Sequence, residues 1–356
     1  MMEYIDNPAL QALGWPKAGT LQQLRWQTLL TQYPLAYPGR VIAQHRDCYQ
    51  VATATQFSMQ AQAPSAWRQP HYRAQKRATT GDWVLLEGTQ IVSLLPRYTA
   101  LCRAAAGEHY QQQVIAANID TVFILCGLDG DFNLRRIERY LLLLSQSGIT
   151  PVIVLTKADQ CEKATALAQT VSAELGVAAH AVNTLDSRSV SVLEPWLQPG
   201  MSVALVGSSG AGKSSLCNTL LGEVRMKTAR VRQRDARGRH TTTHRALWLL
   251  PTGACLIDTP GMRELKPTGD EALENGGFAD IEALAQRCRF TDCTHHNEPG
   301  CAVRAALESG ELSVDHLHHY LKLQQEVTTA RSRYTAQLKG SPGRNIRNRK
   351  NSARRF

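Results

Sequence analysis

Two groups of residues in this chain have the types and spacing to do chemistry. The first is Gly207, Ser208, Ser209, Gly210, Ala211, Gly212, Lys213, Ser214 and Ser215, which spell G-x-x-x-x-G-K-S. Glycines at these places let backbone N–H groups turn inward onto phosphate oxygens, and a helix starting at the lysine adds positive potential. Lys213 is expected to neutralise the β- and γ-phosphates, and the Ser214 hydroxyl to ligate Mg²⁺. The second group is Cys288, Cys293, His295 and Cys301. Three thiolates and an imidazole fill a tetrahedral shell and leave no open position, which predicts a structural zinc ion, with iron as the minor alternative. His296 stands beside His295 as a rival ligand.

Each group needs elements to hold it. The run Val203-Ala204-Leu205-Val206 predicts a buried strand before the phosphate loop, and Leu216, Thr219 and Leu220 predict a helix after it, ended by Gly222. Residues 121–126 and 151–155 are further continuous apolar runs, as in strands covered on both faces. Between them Asn133 is a candidate N-cap for a helix carrying Leu134, Ile137, Leu141 and Leu144, stopped by Gly148. A helix over 162–175 and a strand near 180–183 follow. This alternation predicts a doubly wound α/β domain, with ligands at the carboxyl ends of its strands.

Upstream, β-rich stretches at 39–43, 49–53, 82–86 and 91–95 are separated by turn residues, and predict a small OB-type barrel. Residues 67–77 interleave Trp67, His71 and Tyr72 with Arg68, Arg73, Lys76 and Arg77, a mixture suited to RNA phosphates and base stacking. Residues 1–34 form a broken leucine stripe interrupted at Gly14-Trp15-Pro16. Helices over 281–286, 302–307 and 316–327 are expected to flank the cysteine cluster. The expected domains are therefore a helical extension (1–34), the barrel (35–110), the nucleotide domain (111–280), the zinc domain (281–330) and a basic tail (331–356).

The strand at 151–155 runs into Thr156-Lys157-Ala158-Asp159, which resembles the N-K-x-D base-reading motif of GTPases. A carboxylate at Asp159 accepts from guanine N1–H and its exocyclic amine, whereas adenine presents an acceptor there and would leave buried groups unpaired. The Lys157 stem can pack over the base plane. After the phosphate loop, Asp258-Thr259-Pro260-Gly261 gives D-x-x-G, with Asp258 near Mg²⁺ and the Gly261 N–H near the γ-phosphate. The intervening stretch is rich in arginine and contains Thr241 and Thr242, either of which can reach Mg²⁺ and the γ-phosphate. In most GTPases the base-reading motif follows D-x-x-G. Here it precedes the phosphate loop, the order produced by a circular permutation that keeps neighbours in the sheet while cutting the chain elsewhere.

Taken with residues 114–120, 131–136 and 240–243 and the cysteine cluster, this order resembles the RsgA (YjeQ) family of circularly permuted, ribosome small subunit-dependent GTPases. The resemblance covers roughly residues 35–325. It implies an OB barrel, a permuted GTPase domain and a zinc domain. It also implies hydrolysis of GTP to GDP, stimulated by the small (30S) ribosomal subunit during that subunit's late maturation. His295 is favoured over His296 by the same resemblance. Two departures stand out: Thr156 replaces the motif's Asn, and Met262 occupies the place of a water-orienting Gln, which a thioether cannot replace. The resemblance points to His240 for that role, with His244 as a competitor.

Composition favours a polyanionic partner, nucleic acid or an anionic membrane: 40 Lys and Arg against 30 Asp and Glu give a formal net charge of +10. No run of 18 apolar residues exists, and residues 1–10 lack the pattern of a secretory signal. Nine cysteines, mostly scattered, fit a reducing cytosol. A cytoplasmic monomer that meets rRNA, and neither membrane nor DNA, is expected. No acidic residue follows Glu326, and the cations beyond it suit RNA phosphates. Two other classes remain at this stage: a P-loop ATPase or small-molecule kinase, and a zinc RNA-binding regulator whose nucleotide site switches with little hydrolysis.

Overall fold

The computed structural model describes residues 4, 6–45, 48–69, 72–104, 112–130, 132–225, 246–258 and 277–340, together with 267, 269, 271 and 273. It opens with α1 (Pro8–Ala12) and α2 (Leu21–Gln32), each started by a polar cap. Asn7 Oδ1 accepts from Ala9 N and Leu10 N, and Thr20 accepts from Gln23 N, pairing N–H groups that a helix start leaves open.

Strands β1 (Tyr37–Gln44), β2 (Cys48–Thr53), β3 (Met59–Gln62), β4 (Trp83–Glu87) and β5 (Gln90–Leu94) form a closed barrel in the order β1-β2-β3-β5-β4, with β4 pairing back onto β1. Strand β3 escaped the sequence reading because Ala61 is its one buried side chain. The stretch 65–76 between β3 and β4 holds two short 3₁₀ turns. Trp67 there is a core residue, edge-on to Tyr49 at 5.8 Å, so it is not the stacking platform the sequence suggested. Arg68, Arg73 and Lys76 are exposed, and His71 lies outside the described residues.

The N-terminal helices are built into the same core. Trp15, which the interruption at Gly14 turns inward, packs 4.9 Å from Trp26 and 4.8 Å from Trp83 of β4. Aromatic pairs at such spacing add about 0.5–1.5 kcal/mol beyond the area they bury. Arg40 of β1 is fully buried beside them. It donates to the carbonyls of Leu13, Gly81 and Asn118, tying the N-terminal segment, the barrel and the entry to the next domain.

A two-stranded ribbon, β6 (Ala100–Ala104) and β7 (Gln112–Ala117), leads into β8 (Thr121–Gly127), α3 (Leu134–Leu144), β9 (Thr150–Thr156), α4 (Ala164–Leu175), β10 (Ala179–Val182), α5 (Ser187–Val190), β11 (Ser202–Gly207), α6 (Lys213–Leu221), β12 (Ala246–Leu249) and β13 (Cys255–Asp258). Their spatial order is β10-β9-β8-β11-β13-β12, parallel except for β12. All of β8 and β11 is buried. One face packs against α3 and α4, the other against α5 and α6, which is why these strands read as unbroken apolar runs. An antiparallel contact of Ala43 with Ala246 joins β1 to β12, making barrel and parallel strands one eleven-stranded sheet.

The C-terminal helices are α7 (Ala279–Ala285), α8 (Ala302–Ser309) and α9 (Val314–Gly340). Helix α9 outruns the expected 316–327. Leu317, Tyr320, Leu323, Val327 and Ala330 are buried at three- and four-residue spacing, a stripe that runs past the expected helix end and stops just short of the supposed tail. Arg331 is correspondingly part of the fold: its Nε donates to Gly269 O at 2.9 Å. A Cβ on Gly269 would lie 2.5 Å from Arg331 N, so the backbones of Gly269 and α9 meet directly.

Candidate functional site

The phosphate loop leaves the end of β11 and enters α6. Gly212 sits at φ +84°, a left-handed conformation that costs little without a Cβ, and caps α6. Gly207 passes so close to β8 that a Cβ there would lie 2.4 Å from Leu125 O. Lys213 Nζ donates to Gly207 O at 2.7 Å and to Ser208 O, folding back across the loop it is to serve. Ser214 and Ser215 occupy the first turn of α6, and Asp258 ends β13 on the neighbouring strand. Ser209 and Gly210 are exposed at the loop's tip, while Ala211 is buried beneath it.

Thr156 ends β9, two strands from β11. Its side chain is fully buried and its Oγ1 donates to Ala211 O at 2.9 Å. The two motifs, 55 residues apart in sequence, therefore touch. The threonine that replaces the motif's Asn makes a direct bond to the phosphate loop. Lys157 is held at φ +60°, with its Nζ on the Asp129 carboxylate. Ala158 and Asp159 form a short 3₁₀ turn, and Asp159 is exposed.

The Cys288, Cys293, His295 and Cys301 ligand atoms all lie within 4.8 Å of one another. Cys288 Sγ is 3.9 Å from Cys301 Sγ and 3.7 Å from His295 Nδ1, and Cys301 Sγ is 3.6 Å from that nitrogen. A tetrahedron with Zn–S and Zn–N bonds of about 2.3 and 2.0 Å has edges of roughly 3.5–3.8 Å, so Cys288, His295 and Cys301 stand near three corners of such a site, with Cys293 close enough to supply the fourth. His295 adopts φ +63°, which brings its ring to the thiols. The rival His296 is exposed and turns its Nδ1 to Thr294 O at 2.8 Å.

A family model described as RsgA GTPase matches residues 94–268. A protein of Xanthomonas axonopodis pv. citri (strain 306) named small ribosomal subunit biogenesis GTPase RsgA is 57% identical over 328 residues, covering 91% of this chain and 90% of its own length. This chain belongs to the RsgA family of GTPases. A relative of the same name from Xanthomonas oryzae pv. oryzae (strain MAFF 311018) is 56% identical over 328 residues, covering 91% of this chain and 90% of that one. In fold the RsgA chain resembles YjeQ from Thermotoga maritima, with a TM-score of 0.59 and 22% identity over 82% of this chain and 99% of that one. It also resembles YloQ, described as a circularly permuted GTPase, with a TM-score of 0.56 and 21% identity over 84% and 96%.

Several candidate residues of this RsgA chain, His240, Thr241, Thr242, Gly261 and Met262, lie outside the described residues. Sequence reading missed two features that the structure sets beside the base motif. Val182 of β10 pairs with Thr156, so the turn at 183–186 emerges next to Lys157 and Asp159. Thr184 is buried there, its carbonyl accepting from Thr219 of α6 at 2.6 Å. Asp129 is the other; only its place after a buried strand, with a lysine at the end of the next one, could have signalled it.

Proposed function

We propose that this chain binds GTP and hydrolyses it to GDP and phosphate during late maturation of the small (30S) ribosomal subunit, docking there through rRNA. The reading rests above all on the 2.9 Å bond from Thr156 to Ala211 O, a direct link between the guanine-reading and phosphate-holding segments of an RsgA-family chain. Asp159 accepts from guanine N1–H and the exocyclic amine, and rejects adenine by the unpaired groups adenine would leave. The 207–215 backbone N–H groups hold the phosphates, and Lys213 exchanges its loop carbonyls for β- and γ-phosphate oxygens. Ser214 and Asp258 would hold Mg²⁺, which would supply charge neutralisation at the phosphates. Thr241, Thr242 and the Gly261 N–H attend the γ-phosphate, and His240 orients the attacking water. Cys288, Cys293, His295 and Cys301 hold one structural zinc.

Exposed Arg68, Arg73 and Lys76 of the barrel supply cations for rRNA, together with the basic residues beyond Gly340. The protein is taken to act as a cytoplasmic monomer, with no membrane or DNA partner. Phosphate release measured with and without isolated small subunits, paired with sedimentation on small and on large subunits, tests the whole reading. Stimulation and co-sedimentation specific to the small subunit are expected. Competition by GDP and not ADP separates a GTPase from an ATPase or kinase. Single-turnover hydrolysis by His240→Ala at the parent's rate, with subunits present, would remove His240 from the mechanism.

A further inference from the structure

We propose that Asp129 is a positioning residue for the guanine nucleotide, holding Lys157 in the pose in which its stem covers the base. This rests on reading 156–159 as the base-recognition segment. Asp129 and Lys157 leave the carboxyl ends of two adjacent parallel strands. Gly127 of β8 is in register with Thr156 of β9, and Leu128 N donates to Thr156 O at 2.8 Å, so the two chains diverge from a common point. There the Lys157 Nζ meets the Asp129 carboxylate. The side chains are 19% and 31% exposed, partly withdrawn from solvent but open on one side.

Two further features belong to the same device. Lys157 occupies the left-handed backbone region at φ +60°, where a non-glycine residue is strained. Its pose is therefore set by its surroundings and not by its own preference. Gly127 makes the room: a Cβ there would lie 2.8 Å from Asp129 Oδ1 and 3.4 Å from Lys157 Nζ. A free lysine loses rotamer freedom when a ligand pins it. An ion pair formed beforehand removes part of that loss from the binding step, which is preorganisation. Asp129 therefore acts on nucleotide affinity through Lys157, and the phosphate chemistry at the far side of β8 is untouched.

The test uses the full chain and GDP titration, with Asp129→Asn, Asp129→Glu, Lys157→Met and the Asp129→Asn/Lys157→Met pair. Lys157→Met keeps an apolar stem and removes the ammonium. Asp129→Asn should raise the Kd for GDP about two- to fivefold, the scale of a partly exposed ion pair. KM for GTP should rise with it while kcat stays within about twofold, and Asp129→Glu, which restores the charge, should recover most of the loss. In the Lys157→Met background Asp129→Asn should change nothing. An unchanged Kd in the single variant, or an undiminished loss in the Lys157→Met background, overturns the proposal. Asp159→Asn is the separate control: if it fails to shift preference from GDP toward xanthosine diphosphate, the base reading itself is wrong, whatever Asp129 does.

Discussion

At the scale of single residues, the hydroxyl of Thr156 carries more than its small size suggests. Thr156→Val keeps the shape of a fully buried side chain and removes its bond to Ala211 O. The loss of one such bond costs about 1 kcal/mol, so GDP affinity should fall roughly fivefold, as read by equilibrium titration. Base selectivity should stay, because Asp159 remains. The types of Thr156, Asp159 and Lys213 were readable because their motifs are local and each has a chemical reason. Asp129 was not, since nothing local marks an aspartate that meets a lysine 28 positions later. The choice between His295 and His296 depends on a backbone at φ +63°, which spacing alone does not specify.

Between elements, the contact of α3 with α9 is charged, with Glu138 at its centre and an Arg139–Glu326 pair at 2.7 Å beside it. Glu138 of α3 is fully buried, with His319 Nδ1 at 2.8 Å, Arg135 Nη1 at 2.5 Å and His316 Nδ1 at 3.4 Å. Burial pushes the Glu138 carboxyl up, but hydrogen bonds from His316 and His319 and the Arg135 charge outweigh it and hold it at about 2. A depressed carboxyl stabilises the fold above its ordinary value of 4.5 and loses that contribution as pH falls towards 2. Acid unfolding followed by tryptophan fluorescence should therefore steepen across that window, and Glu138→Gln should flatten it. Glu138→Ala removes the carboxylate that His319 and Arg135 share, while His316 keeps Asp280 at 3.2 Å, and should cost about 3 kcal/mol in urea unfolding. Gly207→Ala should cost at least as much by the same measurement, because its Cβ meets the Leu125 carbonyl on the neighbouring strand. The parallel strands were legible as apolar runs because both faces are covered. Strand β3 and the last turns of α9 were not, the one because it has a single buried side chain, the other because the buried stripe ends at Ala330 while the helix runs on to Gly340.

On the scale of the whole molecule, the C-terminal helices share a small core with the cysteine cluster, Cys301 being buried among Val303, Ala306 and Tyr320. Chelation with a strong zinc ligand should unfold this part first, lowering the ellipticity of α7 to α9 while GDP binding persists. Truncation after Gly340 should leave that fold intact, since Arg331 and the stripe of α9 lie before the cut, and should reduce small-subunit affinity and its salt dependence together. The domain order was legible from the permuted motifs. That the N-terminal helices share one core with barrel and nucleotide sheet was not, because Trp15, Trp26 and Trp83 are brought together from three separate segments. Strand β12 lies between β1 of the barrel and β13, whose last residue is Asp258. Ala246 of β12 is in register with Asp258 on one side and with Ala43 on the other, so a single residue's width of sheet separates the nucleotide domain's aspartate from the barrel wall.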